Sequence, residues 1–342
     1  MNIYKFIYER ITTYLRNVIL IFLASSGILY ACNKNEAANK KQPMTPEQQA
    51  FLEAKNLLPD YCNLIQYMKS QGYVFWSFSK YAAADKSQLP QKLIVIRHDI
   101  HIRDLGLAYA AWFIEKQLIK TPDCATYFVM WGNPEETQDP NVQKEYLNLV
   151  DFLKAGKTDV QPHISPIDFY IADSHPSWTY QSKDELNELF KENYLVEKTD
   201  AGVNLKVTGK DVLGLEKMNE RLPILLKEYN ESWEKLTGLK PTLYAAHGTK
   251  VAMNYVFNNS VILDQISLIH QGIYKLDTYN TTVFNKLVYL SDNTMPAWMS
   301  NPTSIKPGRY QLLMHPKQWE VKAPVQMRTQ ASTTVPYLIK KR

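Results

Sequence analysis

The chain has 342 residues, 45% hydrophobic and 21% charged, with a formal net charge of +5. That balance suits a globular protein with room for one large core, and twelve glycines and eighteen prolines are too few for a low-complexity chain. Lys and Arg are scattered rather than gathered into a block with aromatics, which excludes a nucleic-acid-binding stripe, so no nucleic-acid partner is expected.

In chain order the first segment is an address. Lys5, Arg10 and Arg16 precede the apolar stretch NVILIFLASSGILYAC, 17–32. Basic residues, a short apolar run and small residues before a cut form a secretory-signal pattern, and the run is short for a membrane span. Its end, Leu29-Tyr30-Ala31-Cys32, resembles a bacterial lipobox. The resemblance implies removal of residues 1–31 and a lipid on Cys32, giving an exported, membrane-anchored lipoprotein of the cell envelope. Residues 32–44 are polar and read as a tether. Residues 45–320 read as one domain, and 321–342 as a tail with little pattern.

Within the domain, TPEQQAFLEAKNLL and LPDYCNLIQYMKSQG have helical spacing, the second stopping near Gly72. YVFWSFSKY reads as a strand. Lys92 to Ile96 is the first strand expected to be buried on both faces, and LGLAYAAWFIEKQLIK is a helix broken by Pro122. CATYFVMW is again a strand, VQKEYLNLVDFLKAG a helix ended by Gly156, and TDVQPHISP a short strand. Residues near 170–214 read as an insertion with one helix. Gly214 to Gly238 reads as a long helix with a kink expected before Pro223. KPTLYAAHGT then gives a strand running into His247, and IYKLDTYN and RYQLLMHPKQW are further apolar runs with polar ends. Strand alternating with helix implies a parallel sheet with helices outside it. The glycine patterns of nucleotide-binding loops are absent. Cys62 and Cys124 suit either a disulfide or two buried thiols.

Five of the seven histidines, His98, His101, His163, His247 and His315, fall at or just past the carboxyl ends of predicted strands. In parallel α/β proteins that edge is where sites form. Alternation along an extended RHDIH segment puts Arg97, Asp99 and His101 on one face and His98 on the other. Asp99 and His101 can then grip one cation. Histidine and carboxylate suit a divalent metal such as zinc, and three such ligands make a hydrolytic centre. Asp99, His163 and His315 come from three separate strand ends and read together as functional, whereas His98, His175 and His270 read as packing.

These segments resemble the polysaccharide deacetylase-like superfamily, relatives of carbohydrate esterase family 4, from about Leu93 to Trp319. Arg97-His98-Asp99-Ile100-His101 is similar to a first motif written Arg-His-Asp-x-Asp, and ATYFVMW to the second strand. Gln161-Pro162-His163-Ile164-Ser165 stands where the metal-binding histidine motif does. Leu236 to Pro241 resembles the segment before the next barrel strand, Ala246-His247-Gly248 a later motif, and Leu313-Met314-His315-Pro316 the closing one. The resemblance implies an irregular (β/α) barrel of about seven parallel strands. It implies a metal-dependent hydrolase, a deacetylase acting on a carbohydrate substrate. Asp99 would be base or ligand, paired with Arg97. His101 and His163 would be ligands with Asp168 a further one, His315 the acid, and His247, Trp131 and Trp319 would contact substrate or, for His247, metal. Three positions depart from the pattern: His101 replaces an aspartate, Ile167 and Asp168 stand where a second histidine is usual, and His247 replaces an arginine. A site remade around a metal fits these departures. So does an inactive relative that binds glycan or assists its assembly.

Overall fold

The computed structural model describes residues 44–134, 139–199, 202–248, 274–279 and 281–321. The signal segment, Cys32, His270 and the tail from 322 lie outside them.

Thr45 caps the first helix. Its hydroxyl accepts from the Gln48 N–H while the Gln48 side chain accepts from the Thr45 N–H, which satisfies two groups a helix start leaves open. Helix α1 (Pro46–Leu57) passes directly into α2 (Pro59–Ser70). Gly72 turns the chain at φ +80°, where a side chain would be strained. YVFWSFSKY then divides: the Ser77 hydroxyl accepts from the Lys80 N–H and starts helix α3 (Phe78–Ala83), leaving β1 as only Val74–Trp76. A local cap overrides the strand-like composition here.

Strand β2 (Leu93–Ile100) is buried at every position and continues through Arg97, His98 and Asp99. It leads to α4 (Leu105–Leu118), β3 (Thr126–Val129), α5 (Pro140–Ala155), β4 (Asp159–Ile164) and α6 (Pro166–Ser174). The insertion holds its one expected α-helix and, besides it, a 3-10 turn and a hairpin. After α7 (Lys183–Asn193), Tyr194–Thr199 (β5) and Gly202–Val207 (β6) form an antiparallel pair apart from the main sheet. Helix α8 (Leu215–Thr237) contains Pro223 without ending there and closes at Gly238, φ +68°. The remaining elements are β7 (Leu243–Ala246), β8 (Leu276–Asp277), α9 (Thr281–Phe284), β9 (Val288–Ser291) and β10 (Arg309–Met314).

The main sheet is parallel in every pairing, with the order β8-β7-β4-β3-β2-β10-β9. β10 lines one side of β2 from Leu93 to His98. The other side is shared, β1 pairing with Leu93–Val95 and β3 with Arg97–Ile100. The sheet is curled and barrel-like, with helices outside it, so the expected α/β architecture is present.

The pleat separates two cores. Ile94, Ile96 and Ile100 point outward with Tyr127, Leu312 and Met314 into the layer under the helices. Leu93 and Val95 point inward with Phe128, Leu243 and Ala245. The inner column is apolar low on the strands and polar at their carboxyl ends, where Arg97, Asp99 and His163 are buried. Such groups tolerate burial only when paired. Cys62 and Cys124 are both buried and free, which settles the open disulfide question in favour of thiols.

Candidate metal centre

Three strand ends bring three imidazoles together. His101 follows β2, His163 lies in β4 and His247 follows β7, and one ring nitrogen from each lies within 4.8 Å of the others. The His101 and His163 rings stack at 5.2 Å, and the His247 ring stands edge-on to both at 4.9 and 5.0 Å.

Hydrogen bonding fixes the tautomer of His163. Its Nδ1 lies 2.9 Å from the Ala245 carbonyl. A carbonyl can only accept, so Nδ1 carries the proton and Nε2 presents its lone pair. That Nε2 lies 3.1 Å from His101 Nε2 and 3.5 Å from Asp99 Oδ2. Burial, the first cause, pushes His163 down to about 3 despite the charge of Asp99. Burial and the neighbouring imidazoles hold His101 well below its ordinary value. Burial thus favours the neutral form of His101 and His163, the form that binds a metal, and three imidazoles gathered on one point are a donor set a zinc-type ion accepts. The residues present therefore fit a divalent metal.

Asp99 is beside this group rather than in it. Arg97 grips it with both donors of its fork, Nε to Oδ1 at 2.6 Å and NH2 to Oδ2 at 2.5 Å, while its NH1 donates to Thr278 Oγ1 at 2.6 Å. Burial alone would raise the Asp99 carboxyl. The Arg97 guanidinium, helped by His163, outweighs it and holds the group well below the usual carboxylate range. Asp168 sits in the first turn of α6, where its Oδ2 accepts from the Ser165 hydroxyl. It does not belong to the three-histidine group either.

Across the opening stands His315, its ring 5.3 Å from that of His101. Its Nδ1 donates to Asp292 Oδ1 at 2.7 Å, so Nε2 is the free end of the ring. Asp292 is fully buried and also accepts from the His315 N–H at 2.5 Å and the Trp319 indole at 2.8 Å. Burial opposes a charge on His315, but the hydrogen bond and charge of Asp292 prevail and its pKa is raised. Trp319, expected at the substrate, is only 3% exposed and holds Asp292 from behind. Trp131 is half-buried and packs against Tyr229 and Trp233.

Two buried carboxylates beside these histidines were not singled out in the sequence. Asp292 follows the short run Val288–Ser291, and LVYLSD carries the same apolar-to-acidic switch that marks the other strand ends. Asp104 is buried and accepts from the His101 N–H at 3.2 Å and the Lys317 N–H at 2.8 Å. Burial pushes its carboxyl up to about 6 against those bonds.

His98 belongs to a separate network on the outer face. Its Nε2 donates to Glu115 Oε1 at 2.5 Å, Tyr127 OH to Oε2 at 3.0 Å, and Tyr61 OH to Oε1 as well. The His98 ring stacks on Tyr127 at 4.3 Å. No family model matches the chain, and neither the curated proteins nor the solved structures provide a match.

Proposed function

We propose that the protein is a metal-dependent hydrolase that removes acyl groups, acetyl above all, from a glycan, with a deacetylase-type barrel. One observation carries the reading: three histidines converge at the strand ends beside an ionised carboxylate, opposite an aspartate-backed imidazole. His101, His163 and His247 would hold a divalent ion, zinc by the chemistry of the donors, which supplies Lewis acidity when bound. Asp99 is held ionised and accepts a proton from the attacking water, while Arg97 fixes its orientation. As the acyl–nitrogen or acyl–oxygen bond breaks, His315 gives a proton from Nε2 to the leaving group, and Asp292 stabilises the imidazolium until it does so. Water and acyl sugar become the carboxylic acid and the free amine or hydroxyl. Trp131, half-buried just past β3, would give the sugar an aromatic contact.

On the same proposal the chain is exported and tethered through lipid on Cys32, which puts its glycan in the cell envelope. Among the described residues no helix is long and apolar enough to cross a membrane.

The bidentate hold of Arg97 on Asp99 favours one rival. A carboxylate with both oxygens engaged is a weak base, and a protein that binds glycan without turnover has no need of a stronger one.

Metal content of the full chain and of His163→Ala separates the two. The expected result is one divalent ion per wild-type chain, more than roughly 100-fold weaker binding in the variant, and acetate release from an acetylated glycan that chelation stops. No ion in the wild type after incubation with zinc, together with glycan binding that chelation leaves untouched, would replace this reading by the binding one.

A further inference from the structure

The opposite end of the barrel holds a concavity of about 550 Å³. Thr242 and Leu243 line it at the start of β7, and Lys275 and Leu276 at the start of β8. The histidine centre lies past the carboxyl ends of the same sheet, so the two sites share no residue. The volume falls within the range of small-molecule sites.

Its chemistry is one-sided. Lys86, Lys275 and Lys286 contribute three ammonium groups, and no carboxylate is among the lining residues. Lys86 is fixed in the wall: its Nζ donates to the carbonyls of Tyr81 at 2.6 Å, Ala84 at 2.7 Å and Ala82 at 3.3 Å, and it lies 4.5 Å from the Tyr81 ring centroid. With three donors committed, Lys86 supplies charge rather than hydrogen bonds. Lys275 and Lys286 are exposed and make no ion pair among the described residues, so their donors are available. Ser79, Thr242 and Asn285 add neutral donors. Two carboxylates stand close by without lining the cavity: Asp85, beside Lys86, accepts from the Ser87 N–H and hydroxyl at 2.8 Å each, and Asp159 is occupied by the Ser79 N–H at 3.1 Å, Thr126 at 2.5 Å and Gln161 at 2.9 Å.

We infer that this foot cavity binds a phosphate-bearing ligand. A planar carboxylate is served best by the fork of an arginine, and among the described residues no arginine lines the cavity. Point-charge ammonium groups and scattered hydroxyls suit a tetrahedral group with several acceptor oxygens and more than one negative charge. Ala82, Ala83, Leu243 and Leu276 give the rest of the ligand an apolar bed. The phosphate can be carried by a free monoester or by a phospholipid headgroup. The inference does not depend on the hydrolase reading.

The test uses the full chain, the double variant Lys275→Gln/Lys286→Gln, and Lys80→Gln as a control on the same side but outside the cavity. Glycerol 3-phosphate is titrated by calorimetry at fixed ionic strength. In parallel, flotation compares phosphatidylcholine vesicles with and without phosphatidylglycerol. Saturable binding of either probe by the wild type, weakened roughly tenfold or more in the double variant and unchanged in the control, supports the site. Response to the monoester identifies a free phosphate ligand, and response to the vesicles alone a headgroup. No saturable binding of either probe, or equal weakening in Lys80→Gln, overturns it. Metal binding, read on the same samples, is expected to be the same in all three proteins.

Discussion

His98 and His101 sit three residues apart and meet opposite fates. His101 leaves the inner face of the barrel and joins His163 and His247. His98 leaves the outer face and disappears under α4, where Glu115 gathers His98, Tyr61 and Tyr127. Each cluster contains imidazole in a buried setting. The inner one gathers a ring nitrogen from each of three histidines within 4.8 Å of one another. The outer one surrounds a carboxylate with three donors and leaves only His98 Nδ1 without a partner. Ring nitrogens gathered on one point mark a place for a metal, whereas a carboxylate met by three donors marks a structural joint.

The largest effect expected from breaking this contrast is in the outer cluster. Glu115→Ala strips three buried donors of their acceptor and should cost about 3–5 kcal/mol in urea unfolding, with metal affinity retained by the fraction that stays folded. A mutant that keeps its stability but loses metal would reverse the assignment of the two clusters.

Acid should expose the inner cluster next. His163 has a folded pKa pushed down to about 3, against about 6.5 unfolded. The unfolded chain therefore takes up a proton that the native one refuses. Stability of the metal-free protein should fall as pH drops from about 6.5 toward 3, by up to about 1.4 kcal/mol per pH unit for this group. His163→Asn, which cannot titrate, should show a shallower fall in urea midpoints over the same range. Equal slopes would mean that His163 is protonated in the native state.

His315 should behave in the reverse sense. Its pKa is raised in the fold, so its contribution to stability is full below the unfolded value and is lost as pH rises through the folded one. In Asp292→Asn the ring should titrate at lower pH by NMR, and the stability gap to wild type should narrow as pH rises. An unmoved titration would remove Asp292 as the partner that charges the ring.

The smallest change is expected at His98. His98→Phe keeps the stack on Tyr127 and removes the orphaned nitrogen together with one of the three donors to Glu115. The two effects oppose each other, so a net loss of about 1 kcal/mol is expected, with no change in metal content. A lost metal would show that the two faces of β2 are coupled.

The pleat explains how much of this was legible in the sequence. Alternation along RHDIH placed Arg97, Asp99 and His101 together and turned His98 away, because a strand has only two faces. Convergence of His163 and His247 followed from reading apolar runs that end in histidine. Glu115 was not legible, since one acidic residue on an amphipathic helix looks solvated until the packing of that helix is known. Asp104 and Asp292 each take a partner remote in sequence, Lys317 and His315 respectively, which no local pattern announces. The β5–β6 hairpin was hidden by a polar composition that suits a loop as well as an edge pair.

Asp104 has a consequence for motion. One carboxylate receives amide protons from the loop that carries His101 and from the loop just past His315. Asp104 lies in the same turn as His101, so that turn and the loop past His315 are tied through one carboxylate, and they cannot part without releasing the Lys317 N–H. Solvent exchange at the amides of His101 and Lys317 should accordingly slow and quicken in step, as if the mouth of the barrel had one hinge rather than two.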